Sequence, residues 1–232
     1  MAGILYGVGV GPGDPQLITL KALKVIEDCD YIGIPAKDAD SCTAYRIALG
    51  ALPSMADKPV LAAPVPMTTD ADRLNAAYEQ GCLRIIEKLR EKKSVAFLNL
   101  GDPTVYGSYM EIHRRVRAAG FETKVINGVP SFCAVAAALE LPLGDGKEMI
   151  HILPGCYDIA DMEKLEGTKV LMKSGSRIGA VKEALAVMQK AGCVKAGAVS
   201  DCGMESQRIF SDIGELPENA GYFTTIVVKD GR

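Results

Sequence analysis

Short apolar runs alternate with amphipathic stretches along this chain, an order that predicts an α/β protein. Ile4 to Val10 is rich in β-formers and ends in glycines. From Pro15 to about Asp28, residues Leu17, Leu20, Leu23 and Ile26 recur at a spacing that lines one face of a helix. Tyr31 to Ile34 reads as the next strand, stopped by Pro35, and Thr43 to Ala51 as the next helix. A stretch punctuated by Pro53, Pro59, Pro64 and Pro66 leads to a long helix from about Asp72 to Lys92. Its apolar stripe is Leu74, Ala77, Tyr78, Cys82, Ile85, Ile86 and Leu89, with charges opposite. Ser94 to Leu100 is a buried type of strand, Tyr109 to Ala119 a helix closed by Gly120, and Glu122 to Ile126 a further strand. Gly128-Val129-Pro130-Ser131 opens a small-residue helix, Phe132 to Leu139.

Leu141 to Lys147, short and containing Pro and Gly, is the expected linker, which gives an N-terminal domain of residues 1–143 and a C-terminal domain of residues 144–232. Beyond it Met149 to Leu153, Lys169 to Met172 and Ala196 to Ser200 read as strands, separated by helices near Ile159 to Leu165 and Ile178 to Ala191. Arg208 to Ile213 and Tyr222 to Lys229 read as strands joined by a turn, so the second sheet is expected to be mixed and the first mostly parallel.

Composition narrows the function classes. The 232 residues are 48% hydrophobic and 24% charged, enough for a substantial core. Lys and Arg total 26 against 29 Asp and Glu, a net charge of -3, so no overall attraction draws the chain to nucleic acid or anionic lipid. The basic group His113, Arg114, Arg115 and Arg117 reads as a solvated helix face before it reads as an anion site. No apolar stretch is long enough for a bilayer and the start lacks a secretory pattern, so the expected location is cytoplasmic. Seven scattered cysteines (Cys29, Cys42, Cys82, Cys133, Cys156, Cys193, Cys202), with no Cys-x-x-Cys and two histidines, read as core fillers, and no metal site is expected.

Two strand ends carry candidate chemistry. Gly-Asp-Pro occurs at residues 13–15 and again at 101–103, each soon after an apolar run. Ligands of open α/β sheets sit outside such carboxyl ends. A dinucleotide fingerprint is excluded, because the third glycine of either possible frame is replaced, by Pro12 or by Asp14, and Pro12 and Pro15 lack N–H donors. The Asp102 carboxylate fits either of two roles, accepting from backbone N–H groups two or three residues on or facing a cationic ligand.

The run Gly7 to Pro15 with Leu17-Ile18-Thr19-Leu20-Lys21-Ala22, then Gly101-Asp102-Pro103 with Val105 and Tyr106, then Gly128-Val129-Pro130-Ser131, resembles the successive signatures of the tetrapyrrole methylases. Ser206-Gln207-Arg208 and Tyr222 to Lys229 extend the likeness to nearly the whole chain. Leu98 to Pro103, Tyr106 to Tyr109 and Asn127 to Phe132 are similar to the branch that methylates C20 of precorrin-2 or cobalt-factor II in cobalamin biosynthesis. The first methylase of uroporphyrinogen III typically has Gly-Gly-Asp-Pro, and Leu100 stands here in place of its first glycine.

The resemblance implies two α/β domains with S-adenosylmethionine in the cleft between them, a small-molecule tetrapyrrole substrate and a homodimer. It implies cofactor contacts from Pro12, Gly101, Asp102, Val105, Tyr106, Ser131 and Phe132, and in the second domain from Met172 and the backbone of Thr224, Thr225 and Ile226, where core packing is an equal reading of Met172. Asp102 and Tyr106 are the candidates to help a proton leave after transfer. Arg46, Arg73, Lys173 and Arg177 are candidate partners of substrate carboxylates. The alternatives are methylation of another tetrapyrrole, a diphthine synthase-like or RNA methylase of the same architecture, and a non-catalytic tetrapyrrole-binding protein.

Overall fold

A computed structural model of the chain describes residues 2–154, 157, 159–173 and 177–231. It divides into two compact units, Met1–Pro130 and Ser131–Arg232. The boundary expected at residues 143/144 therefore falls inside the second unit. The helix Ser131–Ala138 is the reason, since it packs on strands of that unit.

The first unit runs β1 (Ile4–Gly9), α1 (Leu20–Asp28), β2 (Tyr31–Ile34), α2 (Thr43–Ala51), β3 (Val60–Ala62), α3 (Ala71–Arg90), β4 (Val95–Asn99), α4 (Tyr109–Ala118), β5 (Glu122–Ile126). Its five strands are all parallel, in the order β3-β2-β4-β1-β5. Alternate side chains of β1 and β4 enter two cores. Val8, Ala96 and Leu98 pack with α1 and α2, whereas Leu5, Val95 and Phe97 pack with α3 and α4. Helices cover both faces, so the central strands β2, β4 and β1 are largely buried, while the edge strands β3 and β5 are partly exposed.

Side-chain caps fix the starts of α1 and α3. Asp70 Oδ1 accepts from the N–H groups of Asp72 and Arg73 (3.0 and 3.1 Å) and starts α3. Thr19 Oγ1 accepts from Ala22 N (3.1 Å) and starts α1. The helix expected from Pro15 is thus broken into a 3-10 turn, Pro15–Leu17, and α1. The break resets the helical phase: Ala22 and Ile26 face the core, and Leu20 stands in solvent. The short strand β3, in the proline-punctuated stretch, was not expected from the sequence.

The second unit contains α5 (Ser131–Ala138), β6 (Ile150–Pro154), α6 (Ile159–Met162), β7 (Thr168–Met172), α7 (Ile178–Lys190), β8 (Val194–Ser200), β9 (Arg208–Phe210) and β10 (Thr224–Asp230). Its sheet is mixed, in the order β6-β7-β10-β8-β9, with β6 and β7 parallel and the other pairs antiparallel. The last two strands are consecutive in sequence but not neighbours, because β8 lies between them.

Tyr109 is the largest fully buried side chain of the first unit. Its ring occupies the space a Cβ on Gly7 would need, and its hydroxyl donates to the Lys124 carbonyl (2.8 Å), joining α4 to β5. Tyr109→Phe is expected to cost about 1 kcal/mol of stability. Tyr109→Ala is expected to cost roughly 3–5 kcal/mol, both measured by urea unfolding.

Candidate functional site

In the first sheet β1 and β4 are neighbours whose chains leave in opposite directions. From β1 the chain crosses through α1 to β2, and from β4 through α4 to β5, on the opposite face. That divergence is a topological switch point, where open α/β sheets bind ligands. Both Gly-Asp-Pro loops start there.

The loops after β1, β4 and β5 are held together by backbone contact. Gly11 and Gly101 exchange hydrogen bonds (Gly101 N to Gly11 O 2.8 Å, Gly11 N to Gly101 O 3.3 Å). A Cβ on Gly9 would lie 2.5 Å from Gly128 N and 2.7 Å from Gly101 O, and one on Gly128 would lie 2.2 Å from Gly101 O. Three chain segments pass where no side chain fits. The close approach that these glycines allow is therefore first of all to one another. Thr19 adds a fourth tie, donating from Oγ1 to Asn127 O (3.3 Å).

Asp102 is 6% exposed and accepts four hydrogen bonds. Oδ1 takes the Thr104 N–H (2.8 Å) and hydroxyl (2.5 Å), and Oδ2 takes Gly128 N (2.9 Å) and Asn127 Nδ2 (3.3 Å). Four donors fill the usual lone-pair sites of a carboxylate. Burial pushes its pKa up, but the bonds from Thr104, Gly128 and Asn127 together outweigh that and hold it below the ordinary value. Of the two roles open in the sequence, this arrangement is the backbone-holding one, with a partner after β5 as well as in its own loop. The Thr104 N–H is the donor two residues on that the sequence allowed, whereas Asn127, Gly128 and Gly9 were missed as members of the cluster. The available signal was that Gly9 ends β1 and Gly128 follows β5, a strand of the same sheet, by two residues.

Around this cluster Pro12 is buried, Val105 is partly buried and Tyr106 is 44% exposed. Tyr106 holds a left-handed backbone, φ 50°, which a bulky residue adopts only against a steric cost. In the second unit Ser131 and Phe132 begin α5, both partly buried. Met172 ends β7 opposite Thr225, and Thr224 Oγ1 lies 2.8 Å from Ser200 Oγ. Strand β10 is central and paired on both sides, and Ile226 has no exposed surface within that unit's core.

The candidate cations are dispersed within each unit. Arg46 lies on α2 and Arg73 on α3, helices on opposite faces of the first sheet. Lys173 follows β7 with φ 59° and stands over the Tyr222 ring at 5.8 Å, while Arg177 precedes α7. Two cations of the basic group on α4 are paired within the helix: Arg114 and Arg115 both meet Glu111 (2.6 and 2.7 Å). Cys29, Cys42, Cys82 and Cys202 are buried, and burial pushes the Cys29 and Cys82 thiols up to about 11. Cys133 and Cys193 are exposed, and Cys156 lies outside the described residues. Among the described residues no helix is long and apolar enough to cross a membrane.

The family model described as Tetrapyrrole (Corrin/Porphyrin) Methylases matches residues 4–217. A "Probable cobalt-precorrin-2 C(20)-methyltransferase" of Methanocaldococcus jannaschii is 32% identical over 215 residues, 92% of this chain and 88% of the relative. A "Precorrin-2 C(20)-methyltransferase" of a Sinorhizobium species is 31% identical over 241 residues, 97% of this chain and 95% of the relative. The crystal structure of a cobalt precorrin-4 methyltransferase shares the fold, with a TM-score of 0.73 and 23% identity over 97% of this chain and 94% of that one. With the family model spanning both units, and with the paired Gly-Asp-Pro loops at the switch point, this chain belongs to the tetrapyrrole (corrin/porphyrin) methylases.

Proposed function

We propose that this chain transfers a methyl group from S-adenosylmethionine to the C20 meso carbon of precorrin-2 or cobalt-factor II in cobalamin biosynthesis, acting as a cytoplasmic homodimer. The observation that carries this reading is the pinned set of loops at the switch point, in a chain that two C(20)-methyltransferases match over most of their length. The residues there fit the donor: the loops present backbone polar groups at the strand ends, and the flanking Pro12 and Val105 are apolar.

Bound there, S-adenosylmethionine supplies a methyl already activated on a sulfonium. What remains for the protein is alignment and exclusion of water, effects that contribute roughly 7–11 kcal/mol in favourable intramolecular cases. Gly101 and the Asp102 backbone hold the methionine portion, with Pro12, Val105 and Tyr106 packed beside it. Ser131 and Phe132 follow in the second unit, where Met172, Thr224 and Thr225 are the proposed adenine contacts. Ile226 supports them from the core. Arg46, Arg73, Lys173 and Arg177 remain the proposed partners of substrate carboxylates.

Asp102 has no lone pair to offer while its four bonds stand, so we assign it positioning. The help to the departing C20 proton falls to Tyr106, whose hydroxyl can accept it on oxygen while releasing its own proton to water. A loop residue held in a costly backbone conformation and left exposed fits a group selected for contact with substrate.

Incubation with methyl-labelled S-adenosylmethionine and either precorrin-2 or cobalt-factor II is expected to place label on C20. Transfer to neither compound overturns the reading.

Asp102→Asn sets an NH2 group against two donors and is expected to cost roughly 1–3 kcal/mol of stability near neutral pH, with weaker binding of S-adenosylhomocysteine. Because the folded pKa is depressed, the carboxylate's contribution is fully present above the ordinary value of 3.8 and is lost as pH falls through the folded pKa. The stability gap between wild type and variant, read by urea unfolding, should therefore be flat at neutral pH and narrow in acid.

Tyr106→Gly relieves the left-handed strain. It is expected to leave stability unchanged or raise it by up to about 1 kcal/mol, while turnover falls. Thermal unfolding beside a methyl-transfer assay separates the two effects.

A further inference from the structure

We propose that Asn99 is a positioning residue that sets the shape of the loop from Gly101 to Gly107 and with it the affinity for the methyl donor; this rests on the reading of the site given above. Asn99 ends β4 and is 5% exposed. Its Nδ2 donates to the Leu100 carbonyl (2.8 Å). The N–H of Gly101, at the other end of the same peptide group, donates to Gly11 O (2.8 Å).

A peptide group is a rigid plane, so these two bonds fix its rotation from both ends. Gly101, with φ 68°, then directs the chain into Asp102. The carboxamide is itself held. Asn99's main-chain carbonyl accepts from Val10 N (3.0 Å), and Gly107 comes so close that a Cβ there would lie 2.7 Å from Asn99 Oδ1 and 3.1 Å from Nδ2. One side chain thus meets the loop at its beginning and at its end. The Leu100 side chain packs into the core shared with α1 and α2, which anchors the same peptide from the other side.

The decisive variant is Asn99→Asp, which keeps the shape, removes the donor and points a carboxylate at the Leu100 carbonyl. Once protonated, the new carboxyl can donate an O–H to that carbonyl. Burial raises its pKa from the ordinary value of about 4, bringing protonation into reach of mildly acid buffer. Calorimetric titration of S-adenosylhomocysteine is expected to show binding weakened roughly tenfold relative to wild type at about pH 8, recovering to within roughly threefold at about pH 5.5. Asn99→Ala is expected to be weakened at both pH values.

Affinity of Asn99→Asp within about twofold of wild type at the higher pH overturns the proposal. So does a deficit that acid leaves unchanged. If Asn99→Asp does not fold, the wild-type protein decides by NMR: the Asn99 side-chain amide signals should shift on saturation with S-adenosylhomocysteine, and unmoved signals overturn the proposal. Failure of wild type to bind S-adenosylhomocysteine at all strikes the reading of the site itself, and is distinguished by that control.

Discussion

The first unit depends on a contact made without side chains. At the carboxyl ends of β1, β4 and β5, Gly9, Gly101 and Gly128 pass so closely that a single methyl group on Gly9 or Gly128 would overlap a neighbouring backbone. Everything else at the switch point is built on that approach. Because the glycines meet, Gly11 and Gly101 can exchange hydrogen bonds, and the Asp102 carboxylate can reach the backbone of a different strand end. The glycine-rich start of the chain is thus neither a phosphate cradle nor a simple turn. It is the place where two other loops lean on the first.

Asp102 turns that contact into a defined geometry. A buried carboxylate is costly unless it is satisfied, and here four donors from three residues satisfy it. Two of the donors lie in its own loop and two come from Asn127 and Gly128 after β5. The same bonds that lower its pKa bind the loops into one unit, so charge and shape are fixed together. Such a group is poorly suited to exchange protons, since each bond to a donor favours the ionised form. Its place in the sequence suggested chemistry; its surroundings give it the work of a brace.

Much of this was legible in the sequence, for physical reasons that also mark where legibility ended. The central parallel strands β1, β2 and β4 are largely apolar and stand out as runs, and α3 and α7 have enough turns for a clear apolar stripe. Strand β3 was hidden because prolines on both sides of three residues resemble a loop. The break before α1 was missed because Leu17 and Leu20 keep helical spacing across a 3-10 turn, and only the Thr19 cap, bonding to Ala22, tells where the helix begins. The boundary between units eluded a composition argument, since Pro142 and Gly144 look like a hinge while α5, before them, already packs on β8 and β10. The partners of Asp102 after β5 were unreadable for a different cause: Asn127 and Gly128 are distant in sequence, and pairing between strands not consecutive in the chain leaves no local trace.

The second unit shows how the same kind of motif carries a different meaning on another sheet. Thr224-Thr225-Ile226 looks like a binding segment in sequence, yet β10 is the central strand and its ladder runs to β7 on one side and β8 on the other. A strand paired on both edges has few backbone groups left for a ligand. What it can offer lies at its beginning, where Thr224 meets Ser200 and Thr225 stands opposite Met172. The β-branched run that follows serves the core, with Ile226, Val227 and Val228 fully buried. In both units, then, the strand interior supplies rigidity, and the proposed site residues stand at strand ends. The proposed site residues lie at such ends: Asn99 closes β4, Gly101 and Tyr106 follow it, Met172 closes β7 and Thr224 opens β10.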